Sequence, residues 1–193
     1  SNFRQAGRAF THNGGESWIS AGVFEPGIFR SDPVLGCDAD GNFYYNSLTN
    51  DPGYFCKVFK SKDGGLSWDE GTEAKGGDKQ WMTIDRTEGE GRGNIYSFWT
   101  SYFSTCPPGF FTRSTDENDS YEDCVTIDGY PYWGTMAVGN EGEVFITGAI
   151  GQGATEENQN VVVAKSLNAR TPGSEILWEE AVLINLDGNL SGW

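Results

Sequence analysis

Aromatic rings set beside amide, acidic and basic side chains make a sugar-binding mix. A ring face stacks on the apolar side of a pyranose while the polar groups reach its hydroxyls. This chain offers that mix in Arg30, Asp32, Gln80, Trp81, Tyr102, Tyr132 and Trp133, which are the candidate ligand-binding residues. A second candidate chemistry is calcium binding, since Asp38, Asp40 and Asn42 have the alternating oxygen spacing of a calcium loop. The far end of such a loop needs an acid, and Gly53 falls there if Asp38 is its first position. Asp38-Ala39-Asp40-Gly41 is also an ordinary hairpin turn. His12 is the single histidine and lies next to a turn, so it reads as solvent-facing and leaves no Ser/His/Asp set elsewhere. No glycine-rich phosphate cradle precedes a helix.

The bulk composition narrows the partners. A net charge of −15 repels nucleic acid and anionic membrane surfaces, and it disfavours an acidic ligand unless arginines cluster locally. Aromatic content of 14% and 27 glycines suit an ordered, turn-rich all-β chain. No apolar run approaches the ~18 residues that would insert into a membrane. The cysteines at 37, 56, 106 and 124 lack metal-ligand spacing. Cys37 and Cys56 align with apolar repeat positions and read as buried thiols. Cys106 and Cys124 flank one predicted hairpin, where a disulfide and a pair of free thiols are both open readings in an extracellular setting. Asn118-Asp119-Ser120 and Asn189-Leu190-Ser191 are formal glycosylation sequons.

What must position these residues is a repeat. Ser61-Lys62-Asp63-Gly64-Gly65-Leu66-Ser67-Trp68 reads as a tight hairpin turn. Gly64 and Gly65 can take positive φ, Asp63 can accept from the turn's own N–H groups, and Trp68 anchors it. The pattern returns at Thr11–Trp18 with Asn13 in the acid's place, and at Ser114–Tyr121 with Asp116. A looser copy runs from Ser166 and Asn168 through an insertion to Trp178. The closing aromatics, Trp18, Trp68, Tyr121 and Trp178, are spaced 50, 53 and 57 residues apart. A near-constant period of this length marks a repeat architecture.

The octamer resembles the Asp-box, or BNR repeat (Ser-x-Asp-x-Gly-x-Thr-Trp), of sialidase-like β-propellers. The match is specific at Ser61–Trp68, good at Thr11–Trp18 and weak in the last two copies, and at repeat level it spans nearly the whole chain. The resemblance implies a structural role for the box, a hairpin between the third and fourth strands of a blade. Asn13, Trp18, Asp63, Trp68, Asp116, Tyr121, Asn168 and Trp178 are therefore structural candidates. It also implies what catalysis would need: a tyrosine nucleophile with a glutamate partner, an aspartate acid/base and three arginines that grip a substrate carboxylate. Phe29-Arg30-Ser31-Asp32-Pro33 is similar to the Phe/Tyr-Arg-Ile-Pro motif that supplies the first arginine, with Ser31-Asp32 in place of the isoleucine. Asp32 can also neutralise that guanidinium. Arg30 and Asp51 are thus the catalytic candidates. The other arginines and the Tyr/Glu pair find no match.

The expected fold is all-β: four-stranded antiparallel blades of a partial propeller of about three to four blades. Residues 1–28 end one blade, 29–75, 76–128 and 129–185 form three more, and 186–193 begin another. The remaining blades would come from the same or another chain. Inner strands are predicted at Pro33–Cys37, Gln80–Asp85 and Trp133–Val138, and fourth strands from Trp68 and over 121–127. Box turns fall at one end of the blades. At the other end gather Phe29, Arg30, Asp32, Asp51, Tyr54, Lys79, Gln80, Trp81, Tyr102, Tyr130, Tyr132, Trp133 and Trp193, where propellers of this kind keep their sites. Trp81, Trp133 and Trp193 also read as sharing one inner-strand position, which favours a structural role for each. The expected work is binding of a glycan or a protein partner by a secreted or cell-surface protein. The alternatives are a glycoside hydrolase completed outside this chain and an architectural subunit.

Overall fold

The computed structural model describes residues 4–150 and 157–191. These form thirteen strands in four antiparallel sheets and one short 3-10 turn. Strands β1 (Gly7–Phe10) and β2 (Ile19–Val23) make a hairpin. Strands β3 (Ser31–Cys37), β4 (Phe43–Leu48), β5 (Cys56–Ser61) and β6 (Thr72–Glu73) make the second sheet. Strands β7 (Trp81–Ile84), β8 (Ile95–Phe98) and β9 (Phe111–Ser114) make the third, and β10 (Pro131–Val138), β11 (Val144–Ile150), β12 (Glu157–Ser166) and β13 (Val182–Ser191) the fourth. In every sheet, strands adjacent in sequence pair antiparallel, so each sheet is an up-and-down meander.

The sheets stack face to face in chain order, and strand alternation shows it. Neighbouring residues on one strand point to opposite faces. Tyr45 and Phe59 join Ala6, Phe24 and Trp68 in a cluster between the first two sheets. Their neighbours Tyr44 and Val58 join Met82, Ile84 and Ile95 between the second and third. Tyr96, next to Ile95, turns the other way into a larger cluster with Phe111, Val144, Ile146 and Ala164. The strands β4, β5, β8 and β9 are accordingly buried on both faces, while β10 alternates between buried and open. Among the described residues no helix is long and apolar enough to cross a membrane.

The four repeated turns share one hydrogen-bond plan. The Gly65 N–H donates to Ser61 Oγ at 2.9 Å, and the Ser67 N–H donates to Asp63 Oδ1 at 2.9 Å. Thr11 and Asn13 accept the matching bonds from Gly15 and Ser17, and Ser114 and Asp116 accept them from Asn118 and Ser120. Gly14, Gly15, Gly64 and Gly65 have positive φ, and so do Glu117 and Asn118, which occupy the same two positions without being glycine. In the last copy Asn168 bridges the insertion by accepting from the Leu177 N–H at 2.9 Å. Trp68 donates Nε1–H to Gly65 O, and Trp178 meets Phe111 edge-on. Trp18 differs from the anchor the sequence suggests, being largely exposed. The hairpin that carries it has a neighbouring sheet on one side only.

Three elements depart from the strand plan. Trp68 opens no strand, since β6 is two residues long and begins at Thr72. Residues 121–127 form no regular strand: Phe111 and Val125 pair as an isolated bridge, and the Glu122 N–H donates to Arg113 O at 2.9 Å. Asn189 begins no new strand, because β13 runs on to Ser191 in register with Glu157 of β12. Cys106 and Cys124 form a disulfide, with Cα atoms 6.2 Å apart. Cys56 is buried, which pushes its thiol up to about 12, and Cys37 is half-buried rather than fully so.

Candidate functional site

The site begins with one irregularity repeated in three sheets. Strand β3 has a one-residue bulge, since Ser31 pairs with Leu48 but Val34 with Asn46. Strand β10 has the same bulge, where Tyr132 pairs with Ala149 but Thr135 with Thr147. Ahead of β7, the Thr100 N–H donates to Asp78 O out of step with the Trp81–Phe98 pair. Aligned on the far-end pairs Cys37–Phe43, Ile84–Ile95 and Val138–Val144, the bulges put Asp32, Lys79 and Trp133 at one position. All three hold left-handed φ, at 49°, 57° and 45°. For residues other than glycine this costs on the order of 1–2 kcal/mol each. The bulge in β10 also needs Gly134, where a Cβ would stand 1.7 Å from the Thr147 carbonyl oxygen.

This register corrects the sequence alignment of the tryptophans. Trp133 is the counterpart of Asp32 and Lys79, whereas Trp81 is the counterpart of Val34 and Thr135. Two different positions therefore bring the two rings to one place. The three bulged segments enclose a cavity of about 680 Å³, lined by Asp32, Pro33 and Val34, by Lys79, Gln80 and Trp81, and by Trp133 and Gly134. It lies at the end of the sheets opposite the repeated turns. Trp81 is 41% exposed and Trp133 38%, so neither is sealed in the core.

The wall behind the cavity is polar and buried. Gln80 is only 2% exposed and donates Nε2–H to Asp32 O, tying the second and third sheets together, while its Oε1 has no hydrogen-bond partner. Ser97 donates to Trp81 O at 2.9 Å and accepts from Asn46 Nδ2 at 3.4 Å, which fixes the backbone under Trp81. Tyr132 lies against Trp133 with ring centres 4.6 Å apart. Burial, then the charges of Asp78 and Tyr102, push the Tyr132 hydroxyl up. Burial pushes the Asp78 carboxyl up as well, and the charge of Asp32 adds to it. Tyr102, on the 3-10 turn Ser101–Phe103, is largely exposed and meets Phe103 edge-on.

The other candidates fall elsewhere. Arg30 is 5% exposed and lies in a neighbouring groove of about 530 Å³ with Arg4, Asp32 and Tyr45. Its Nε–H and NH2 groups donate to Glu25 Oε2 at 2.8 and 2.5 Å, and NH1 donates to Ser47 O at 3.3 Å. Glu25 Oε1 also holds Lys57 Nζ at 2.9 Å. Burial works to raise the Glu25 carboxyl, but Lys57 and Arg30 outweigh it and hold it low. The acid that neutralises Arg30 is thus Glu25 and not Asp32. Asp51 is exposed in the β4–β5 loop, beside a cis Asp51–Pro52 bond, and lines neither the cavity nor the groove.

Asp38, Asp40 and Asn42 do not form a cation cage. Asp38 accepts from the Asp40 and Asn42 N–H groups at 2.9 Å, from Asn42 Nδ2 at 2.7 Å and from the Tyr44 hydroxyl at 3.0 Å. Its lone pairs close the turn, and Asp40 pairs with Arg92 at 2.7 Å. The Asn118 sequon is sealed, because that side chain is buried, donates to Val58 O and accepts from the Tyr121 hydroxyl. Trp193 and the Asn189 side chain lie outside the described residues.

Sequence reasoning missed Asp78, Glu25 and Gly134, and it gave Lys79 no role. A glycine inside a predicted inner strand, immediately after Trp133, was the one signal available for the bulge.

No family model matches the chain, and no curated protein matches it in sequence. Solved structures do resemble it. An intramolecular trans-sialidase from Ruminococcus gnavus, in complex with oseltamivir carboxylate, superposes at a TM-score of 0.61 with 16% identity over 96% of this chain and 41% of its own. A point mutant of the NanB sialidase from Streptococcus pneumoniae does so at 0.59, with 16% identity over 91% of this chain and 28% of its own. A protein of unknown function from Dyadobacter fermentans superposes at 0.52, with 11% identity over 95% of this chain and 68% of its own. The chain spans well under half the length of the two sialidases. Its four consecutive antiparallel sheets have the sialidase-like β-propeller fold.

Proposed function

We propose that the chain is a binding platform for glycans, and that the cavity rimmed by Asp32, Lys79, Trp81 and Trp133 is its ligand site. The observation that carries this reading is the pair of tryptophans. Two partly exposed tryptophans line one cavity, held by strained backbone and by a buried hydrogen-bonded wall. Stacking on such faces suits the apolar side of a sugar ring. Residues held in left-handed backbone by their surroundings are a recurrent mark of a ligand site. A hydrolase of the sialidase type is less well supported, since Glu25 already occupies the Arg30 guanidinium.

We infer that a further sheet of the same or another chain covers the outward face of the last sheet, where Val182 and Ile184 are exposed. The Cys106–Cys124 disulfide supports a secreted or cell-surface setting. The test of the glycan reading is a glycan-array screen followed by tryptophan-fluorescence titration. Trp133→Ala is expected to weaken binding by on the order of tenfold, as loss of one stacking face should, without a fall in melting temperature. Binding that is unchanged in both Trp81→Ala and Trp133→Ala would remove the site.

A further inference from the structure

The charges around the cavity indicate which sugars fit it. Asp32 lines the cavity, and Asp78 stands next to the lining residue Lys79, close enough to feel Asp32. Lys79 is the one cationic side chain among the described lining residues. Arginine, whose planar fork grips a carboxylate with two hydrogen bonds, is missing from that lining. Three arginines elsewhere are held by acids, Arg30 by Glu25, Arg92 by Asp40 and Glu88, and Arg113 by Glu122, while Arg4 lines the neighbouring groove. The net charge of −15 adds its own repulsion.

A sugar carboxylate entering here would give up its water to face Asp32 beside Lys79 with no arginine fork to hold it, a poor exchange for a charged group. An uncharged ring would instead find two indole faces. The Asp32 carboxylate would serve as an acceptor for its hydroxyls. We propose that the cavity between Asp32, Lys79, Trp81 and Trp133 takes an uncharged pyranose and turns away sugars that carry a carboxylate. This rests on the glycan-binding reading above.

The test is tryptophan-fluorescence titration of the full chain with matched pairs: lactose against sialyllactose, and N-acetyllactosamine against its sialylated form. The neutral member is expected to bind more tightly by on the order of tenfold, the scale of two partly screened like charges. Added salt is expected to narrow that gap, and so is the double substitution Asp32→Asn with Asp78→Asn. Equal or tighter binding of the sialylated member would overturn this inference and leave glycan binding standing. A gap untouched by both salt and the double substitution would also overturn it, because the exclusion would then be steric. Failure of every neutral and sialylated sugar to bind would end the glycan reading, and this inference with it.

Discussion

Asp63 and Asp116 hold their turns best as carboxylates, because both oxygens then accept, whereas a carboxylic acid must use one as a donor. Hydrogen bonds from Ser67 keep the Asp63 carboxyl below its usual range. At Asp116 burial works the other way, and donors from Ser120 and Ser114 outweigh it. Asp38 and Glu25 are likewise lowered against the pull of burial. A carboxyl lowered by folding adds stability that is complete above its unfolded pKa, about 4, and is lost as pH falls through the folded value. Asp78 has the opposite sign. Its raised carboxyl favours the fold below the unfolded pKa, and that contribution is lost as pH rises through the folded value. Asp78→Asn is therefore expected to raise the melting temperature at pH 7 and to leave it unchanged at pH 3. Thermal melts at the two pH values check this, and equal shifts at both would show that the Asp78 charge is not the cause. The turn carboxylates were legible in the sequence because an acid two residues after a serine, just before Gly-Gly, has a local use. Asp78 and Glu25 were not, since the groups that shift them come from other strands.

At the scale of the element, the bulges are the decisive feature. Strand alternation has a period of two, so one extra residue reverses which face every later side chain takes. Inner strands could be placed from apolar patterning, but Trp81 and Trp133 both fall near a strand start, and only the pairing register sets them two positions apart. Gly134 carries the bulge in β10 because its missing Cβ leaves room for the Thr147 carbonyl. Gly134→Ala is expected to destabilise the chain by about 3 kcal/mol or more, since backbone and not a movable side chain blocks the new methyl. Urea unfolding checks it. A loss under about 1 kcal/mol, the ordinary scale of a point substitution, would mean the bulge relaxes freely. The strands β6 and 121–127 were over-read for a related reason. There β6 pairs with β5 over two residues only, and 121–127 meets β9 by scattered backbone bonds, so neither grows into a full fourth strand.

At the scale of the molecule, burial is uneven. The two middle sheets are covered on both faces, whereas the first hairpin leaves Trp18 and Ile19 open and the last sheet leaves Val182, Leu183 and Ile184 open. Apolar faces of this kind are rarely left to water. The 193-residue chain is expected to self-associate as its concentration rises, despite its net charge of −15. Replacing Val182 and Ile184, which share the outward face of the last sheet, with lysine is expected to reduce this without lowering the melting temperature. Sedimentation at several concentrations checks it, and a strictly monomeric chain would show that those faces tolerate solvent. The exposure of Trp18 could not be read from its octamer, because burial depends on whether a second sheet lies alongside.

The bulged position has a last consequence. Behind Asp32, Lys79 and Trp133 the ladders are already closed by other residues, so no ladder bond depends on which side chain stands there, although the left-handed φ disfavours β-branched ones. Each blade thus contributes one interchangeable letter to the rim, and here the word reads acid, base, indole. A lineage can respell that word one codon at a time while the turns at the opposite end keep the sheets in order. Taste and architecture can then be inherited separately.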